Sequence, residues 1–385
     1  MKQINNKNIT EEFNFEIFSN WFFDKKYRIG WEEMIANHYQ ANIFLTIEWL
    51  ELWWKTYAQK SDVLKLIFIQ KKGVIIAVAP FYQKGGKELR FIGTGELERA
   101  EVASEFLDIL IDDKYKSIAI KLLSSYLEGE LKRTLSFEFN NVLITSNIYD
   151  VTKAMKKTSW QTNKTTGLRF IIDLPSTFQE YIQSIDKSMK SQLLRKKKKF
   201  EKLGGEIKRI SNEKELIESF ENLKALHSQR WNKRGLEGAF SDKRFITFHI
   251  EFMRFMLKKD QLSLTSLMIN KEVIAVIYNM KYRDTRFFYQ MGANLNFRPN
   301  ISAGSLLHLY EIQDSIDQGE NYYDFMKGAR DNSYKTNFIK SSQEVLHISI
   351  YKKGFANLLQ LVKYDVLSIK HKIIKCLNIY LNLKK

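Results

Sequence analysis

A single cysteine, Cys376, occurs in 385 residues, which excludes a disulfide framework and any zinc or iron–sulfur site built on cysteines. Proline is almost as scarce. Only Pro80, Pro175 and Pro299 are present, and no Ser/Gly-rich or Pro-rich tract marks a flexible linker, so the domains are expected to abut one another. No stretch of eighteen consecutive apolar residues occurs, and the opening MKQINNKNITEEF has no apolar core of a signal peptide. A cytoplasmic protein without a membrane span or a metal cofactor is the expectation.

What is present points to a folded, two-part body. The composition is 44% hydrophobic and 14% aromatic, enough to bury a sizeable core, and the length suggests two domains. A net charge of +17 favours polyanionic partners: nucleic acid, an acidic lipid surface, or phosphate-bearing small molecules.

The chain also resembles itself. DVLKLIFIQKKGVIIAV (Asp62 to Val78) aligns without a gap on DQLSLTSLMINKEVIAV (Asp260 to Val276), an offset of 198 residues with six identities in seventeen positions. Aromatic-rich helical patterns precede both, LELWWKTY from Leu50 and FHIEFMRF from Phe248. LRFIG, ending at Gly93, and FYQMG, ending at Gly292, follow. Each half therefore reads helix, strand, turn, strand, strand, glycine.

In the second half the periodicity predicts helices over about 187–203, 213–231, 242–257 and 302–318. Strands are predicted near Ile207 and over about 262–269, 273–283, 286–292, 322–326 and 345–351, with a short helix at 332–338. Five stretches then carry a family resemblance: SMKSQLLRKKKKFEKLGG (Ser188 to Gly205), LHSQRWNKRG (Leu226 to Gly235), the YQMG strand end, SAGSLLHLYEIQDSIDQGENYYDFMKG (Ser302 to Gly328) and SYKTNF (Ser333 to Phe338). In this order, over about 188–338, they resemble the CelD/BcsL-type acetyltransferases of the GNAT superfamily, and the tandem arrangement is similar to FemABX-type aminoacyl ligases. The resemblance implies an α/β fold of two GNAT-like lobes, mixed and mostly antiparallel sheets flanked by helices. Residues 1–165 would form the first lobe, 166–351 the catalytic lobe and 352–385 a basic helical tail.

It also implies an acyl-CoA donor, acetyl-CoA in the first instance, and no metal. The coenzyme's pyrophosphate would lie where the loop from Arg298 to Ser305 enters a helix, with Ser302, Gly304 and Ser305 at a helix N-terminus. Backbone at Gln290 to Gly292 would polarise the thioester carbonyl. Tyr334 is the candidate general acid, a phenol suited to protonating a departing thiolate, and Lys335 would steady an oxyanion or phosphate. Asp324, Asp331 and His227 are the titratable groups near the expected site, and Arg230 and Trp231 are candidates for lining an acceptor pocket.

Two basic stretches complete the reading: Lys187 to Leu203 and Lys352 to Lys385 each carry about +7 by direct count. The first has an apolar face and its lysines suit a solvated side; the tail suits docking on the body or on an anionic membrane face. Three functions stay open. The acyl group passes from coenzyme A to an amine or hydroxyl, on a saccharide or cell-envelope precursor; or it comes from aminoacyl-tRNA; or the protein binds nucleic acid or membrane without catalysis.

Overall fold

Hairpins in the two halves share an irregularity at positions 198 residues apart. The computed structural model describes residues 12–156, 160–232, 235, 238–297, 301–328, 334–339 and 341–352. The first part contains β1 (Phe13–Phe18), α1 (Lys25–Asn37), α2 (Ile47–Tyr57), β2 (Val63–Lys71), β3 (Val74–Lys84), β4 (Glu88–Phe91), β5 (Leu110–Ile111), α3 (Lys116–Leu131), β6 (Ser136–Leu143) and α4 (Asn147–Ala154). There follow β7 (Trp160–Asp173), α5 (Phe178–Ser184), α6 (Lys187–Lys202), β8 (Gly205–Arg209), α7 (Glu213–Asn232) and α8 (Lys243–Lys258). The chain continues through β9 (Leu262–Ile269), β10 (Glu272–Tyr282), β11 (Thr285–Ala293), α9 (Ala303–Asp317), β12 (Tyr322–Gly328), a 3-10 turn (Tyr334–Asn337) and β13 (Gln343–Lys352).

In the β2–β3 hairpin Ile69 faces Ala77 and Gln70 faces Ile75, so Ile76 bulges. In the β9–β10 hairpin Leu267 faces Ala275 and Met268 faces Val273, so Ile274 bulges at the position 198 residues on. Bulges are built-in features that set local twist, and sharing one places the two meanders in the same register.

All the strands join one sheet, ordered β1-β2-β3-β4-β6-β13-β7-β12-β11-β10-β9-β8 with β5 beside β3. The order is symmetric about the β13–β7 ladder, and each half contains one parallel pair, β4 with β6 and β11 with β12. The expected two sheets are thus one. The reason lies in the last strand of each half, which crosses over: β7 pairs β12 and β13 pairs β6. A division at 165/166 falls inside β7.

The equivalent helices α2 and α8 meet across the symmetry axis. Trp49 of α2 packs edge-on against Phe248 at 4.7 Å and Phe252 at 4.8 Å, within one apolar cluster that runs through both lobes. A second cluster lies beneath α9, between the sheet, α5 and α6. Arg286 anchors that helix: fully buried, it pairs with Glu311 (3.0 Å), Asp314 (2.7 Å) and Glu320 (2.9 Å). Among the described residues no helix is long and apolar enough to cross a membrane. The basic tail beyond Lys352 lies outside the described residues.

Candidate active site

β11 and β12 are hydrogen-bonded only from Thr285 opposite Tyr322 to Phe287 opposite Asp324, and beyond that point they part. Two bulges hold them apart. Tyr289 is squeezed out of the β10–β11 ladder, and β12 breaks register on β7 between Asp324 and Lys327, where Met326 has φ 59°. A left-handed non-glycine residue is strained by roughly 1–3 kcal/mol, so its surroundings must hold it. They do so with three side chains. Asp324 accepts from Met326 N–H (2.7 Å), Glu105 accepts from Lys327 N–H (2.7 Å), and the Lys335 ammonium donates to the carbonyl oxygens of Phe325, Met326 and Lys327. Burial lowers the Lys335 pKa, opposed by the charges of Glu105 and Asp324. Burial pushes Glu105 up to about 7, opposed by its Lys327 hydrogen bond and by Lys335.

The start of α9 faces the gap. Its N-cap, Ser302, is left-handed (φ 47°, ψ 60°) and makes no side-chain capping bond, and the first turn carries no acidic residue. Since the first intrahelical bond runs from Leu306 N–H to the Ser302 carbonyl, the N–H groups of Ala303, Gly304 and Ser305 have no acceptor within the helix. They border a cavity of about 380 Å³ lined by Met291, Phe297, Ser302, Gly304, Ser305 and Tyr334 among others. A Cβ on Gly304 would lie 2.8 Å from Met291 Cε, so the helix start sits tight against β11. Such an end suits an anion.

Tyr334 stands across the cavity, 39% exposed, with its hydroxyl 3.3 Å from His308 Nε2. His308 Nδ1 lies 2.9 Å from the Tyr323 hydroxyl, and both partners are fully buried. Burial holds the His308 pKa down at about 3, with the Lys335 charge adding to the effect, so the ring is neutral.

Residues 187–336, which hold this cavity, match the family described as Acetyltransferase (GNAT) domain. This stretch of the chain is similar to a GNAT acetyltransferase domain. No curated protein sequence matches the chain. Among solved structures it is similar to FemX, with a TM-score of 0.59 and 11% identity over 89% of this chain and 99% of that one. It is also similar to a conserved protein of unknown function from Bacteroides thetaiotaomicron, with a TM-score of 0.54 and 12% identity over 88% and 100%. At these identities the likeness is one of fold, and it extends to both lobes.

The fold brings Ser302, Gly304, Ser305 and Tyr334 together around one cavity. Lys335 and Asp324 sit beneath them as supports of the β12 bulge, and the second Asp324 oxygen pairs with Arg169 at 2.6 Å. Lys335 therefore points its charge at backbone carbonyls, not at the position expected for a phosphate. Gly292 faces away from the cavity: a Cβ there would lie 2.8 Å from His227 N, so this glycine serves the approach of α7 to β11. The Gln290 side chain accepts from Met291 N–H. Trp231 donates to His227 Nε2 at 2.8 Å, which occupies the nitrogen a base would use. Arg298, Asp331 and the Arg230 side chain lie outside the described residues. Sequence reasoning missed His308 and Glu105; a lone histidine inside the apolar run LLHLY was the available signal for the first.

Among the described residues, the corresponding helix start in the first lobe has a different approach. The lobe's counterpart of α9, α3, follows a turn in which the Asp112 carboxylate accepts from Lys114 N–H and Asp113 adds a second negative charge, so an anion is disfavoured there. Asp108 closes the start of α4, accepting from Asn147 and Ile148 N–H at 2.8 Å each. Between the lobes a further cavity of about 610 Å³ is lined by Tyr39, Asn42, Phe106, Arg169, Asp173 and Tyr322 among others.

Proposed function

We propose that the GNAT domain moves an acyl group from acyl-CoA, with acetyl-CoA as first candidate, to an amine or hydroxyl of a saccharide or cell-envelope precursor, as in the CelD/BcsL-type enzymes it resembles. One observation carries the reading: Tyr334 and the start of α9, which lacks a side-chain cap from Ser302, line the same cavity. The N–H groups of Ala303 to Ser305 would hold the pyrophosphate, and bound coenzyme would supply the activated thioester. Tyr334 would give its proton to the departing thiolate. The acceptor would approach through the interlobe cavity, whose Arg169 shares Asp324 with the bulge at the reaction centre. Aromatic rings beside carboxylate, amide and guanidinium groups in that cavity suit a polyhydroxylated molecule.

Thermal-shift titration with acetyl-CoA, longer acyl-CoAs and charged tRNA tests the donor. Saturable stabilisation by a free acyl-CoA is expected; none with any acyl-CoA would overturn the reading. The aminoacyl-tRNA alternative is favoured by α6, which turns Lys187, Arg195, Lys198 and Lys202 to solvent. It requires tRNA affinity that falls steeply with salt through counterion release.

A further inference from the structure

We propose that His308 is a positioning residue: as the Nε2–H tautomer it donates to the Tyr334 oxygen and thereby directs the phenol's own proton toward an acceptor in the cavity. The inference rests on the reading of Tyr334 as general acid. It starts from Tyr323, whose hydroxyl is fully buried and has His308 Nδ1 as its sole partner among the described residues. A buried O–H left without an acceptor is penalised, so Tyr323 donates and Nδ1 accepts. The neutral ring has one N–H, which must then be on Nε2, 3.3 Å from the Tyr334 oxygen.

Packing keeps the ring from turning over. Phe288, Phe325 and Phe338 enclose it, with centroids 4.5, 4.8 and 5.4 Å from the imidazole. Charged groups facing the relay are Lys335, beside His308, and Glu311 and Arg286, beside Tyr323. His308 also lies one helical turn after Gly304, so the helix that presents N–H groups to the cavity carries the relay on the same face.

In the transfer step the Tyr334 O–H bond breaks and an S–H bond forms on the leaving thiolate. The phenolate left behind keeps the Nε2–H hydrogen bond, which strengthens once the oxygen is charged. Water at the exposed edge of Tyr334 returns the proton. His308 itself stays neutral throughout.

Two measurements on the full chain test this. In ¹⁵N-histidine-labelled protein, with the His308 signals assigned by their loss in His308→Gln, Nδ1 should be unprotonated and Nε2 protonated. The opposite tautomer, or a doubly protonated ring, overturns the inference. With acetyl-CoA as donor and thiol release as readout, His308→Leu should lower kcat about 10- to 100-fold, the rate equivalent of one hydrogen bond to a charged oxygen, at unchanged KM. In a Tyr334→Phe background the same change should have no further effect, and His308→Gln, which keeps an N–H donor, should recover part of the loss. Equal losses in both backgrounds would show a purely structural role and overturn the inference. Unchanged turnover in Tyr334→Phe alone sinks the acid reading and the catalytic role of His308 with it, whereas a wrong tautomer beside an impaired Tyr334→Phe sinks the inference only.

Discussion

At the scale of single residues, the neighbours Tyr334 and Lys335 divide the labour: one side chain reaches the cavity, the other holds the backbone that shapes it. Tyr334→Phe should lower kcat roughly 10²-fold and leave KM for acyl-CoA in place, in steady-state kinetics on a variant of verified fold. Lys335→Met should act on the fold first. Removing the buried ammonium leaves three carbonyls without their donor and takes a favourable charge away from Glu105, so urea titration should show a loss of about 1–3 kcal/mol, and adding Glu105→Gln should restore part of it. If Lys335→Met were as stable as wild type, the support role would be wrong. Glu105 has a pH signature of its own. Its folded-state pKa, raised from 4.5 to about 7, means that the folded protein binds this proton more tightly than the unfolded chain. Its contribution to stability is then full below about pH 4.5 and is lost as pH rises through about 7. Glu105→Gln should flatten the decline of Tm across that window, and an unchanged slope would refute the assignment.

At the scale of elements, the start of α9 poses a choice between stability and binding. Ser302→Asp would place a negative charge on the positive end of the helix, raising stability by about 0.3–1 kcal/mol while weakening acyl-CoA binding through repulsion. Opposite signs in thermal melts and in ligand titration are the expected result; tighter binding would show that no anion sits there. Elements whose partners are close in sequence were legible. The meander strands and α6 to α8 follow from apolar periodicity, and the Ile76 and Ile274 bulges bear out the offset match. β7 was not legible as the strand shared by the halves, because most of its residues from Gln161 to Gly167 are polar and its partner β13 is remote. The expected short helix at 332–338 is a 3-10 turn over Tyr334–Asn337, with residues 331–333 outside the described ones. The family resemblance pointed to Tyr334 and Ser302; it gave no sign of His308 and Glu105, whose roles are set by Tyr323 and Lys327, which only the folded sheet brings to them.

At the scale of the whole molecule, the lobes complete each other. Either half made alone, cut between β7 and α5, would leave one strand of its own exposed and lack another, an open sheet edge of the kind that aggregates. Separate expression of 1–175 and 176–385 should yield insoluble material, and co-expression a soluble complex that binds acyl-CoA as the intact chain does; a soluble, folded 1–175 would contradict the interdependence. The exchange also sets a clock on synthesis. β6 ends at Leu143, yet the strand that covers its edge begins at Gln343. At about 5–20 residues per second the ribosome leaves that edge open for roughly 10–40 s, so a chain of this design is most vulnerable to mispairing while it is still being made.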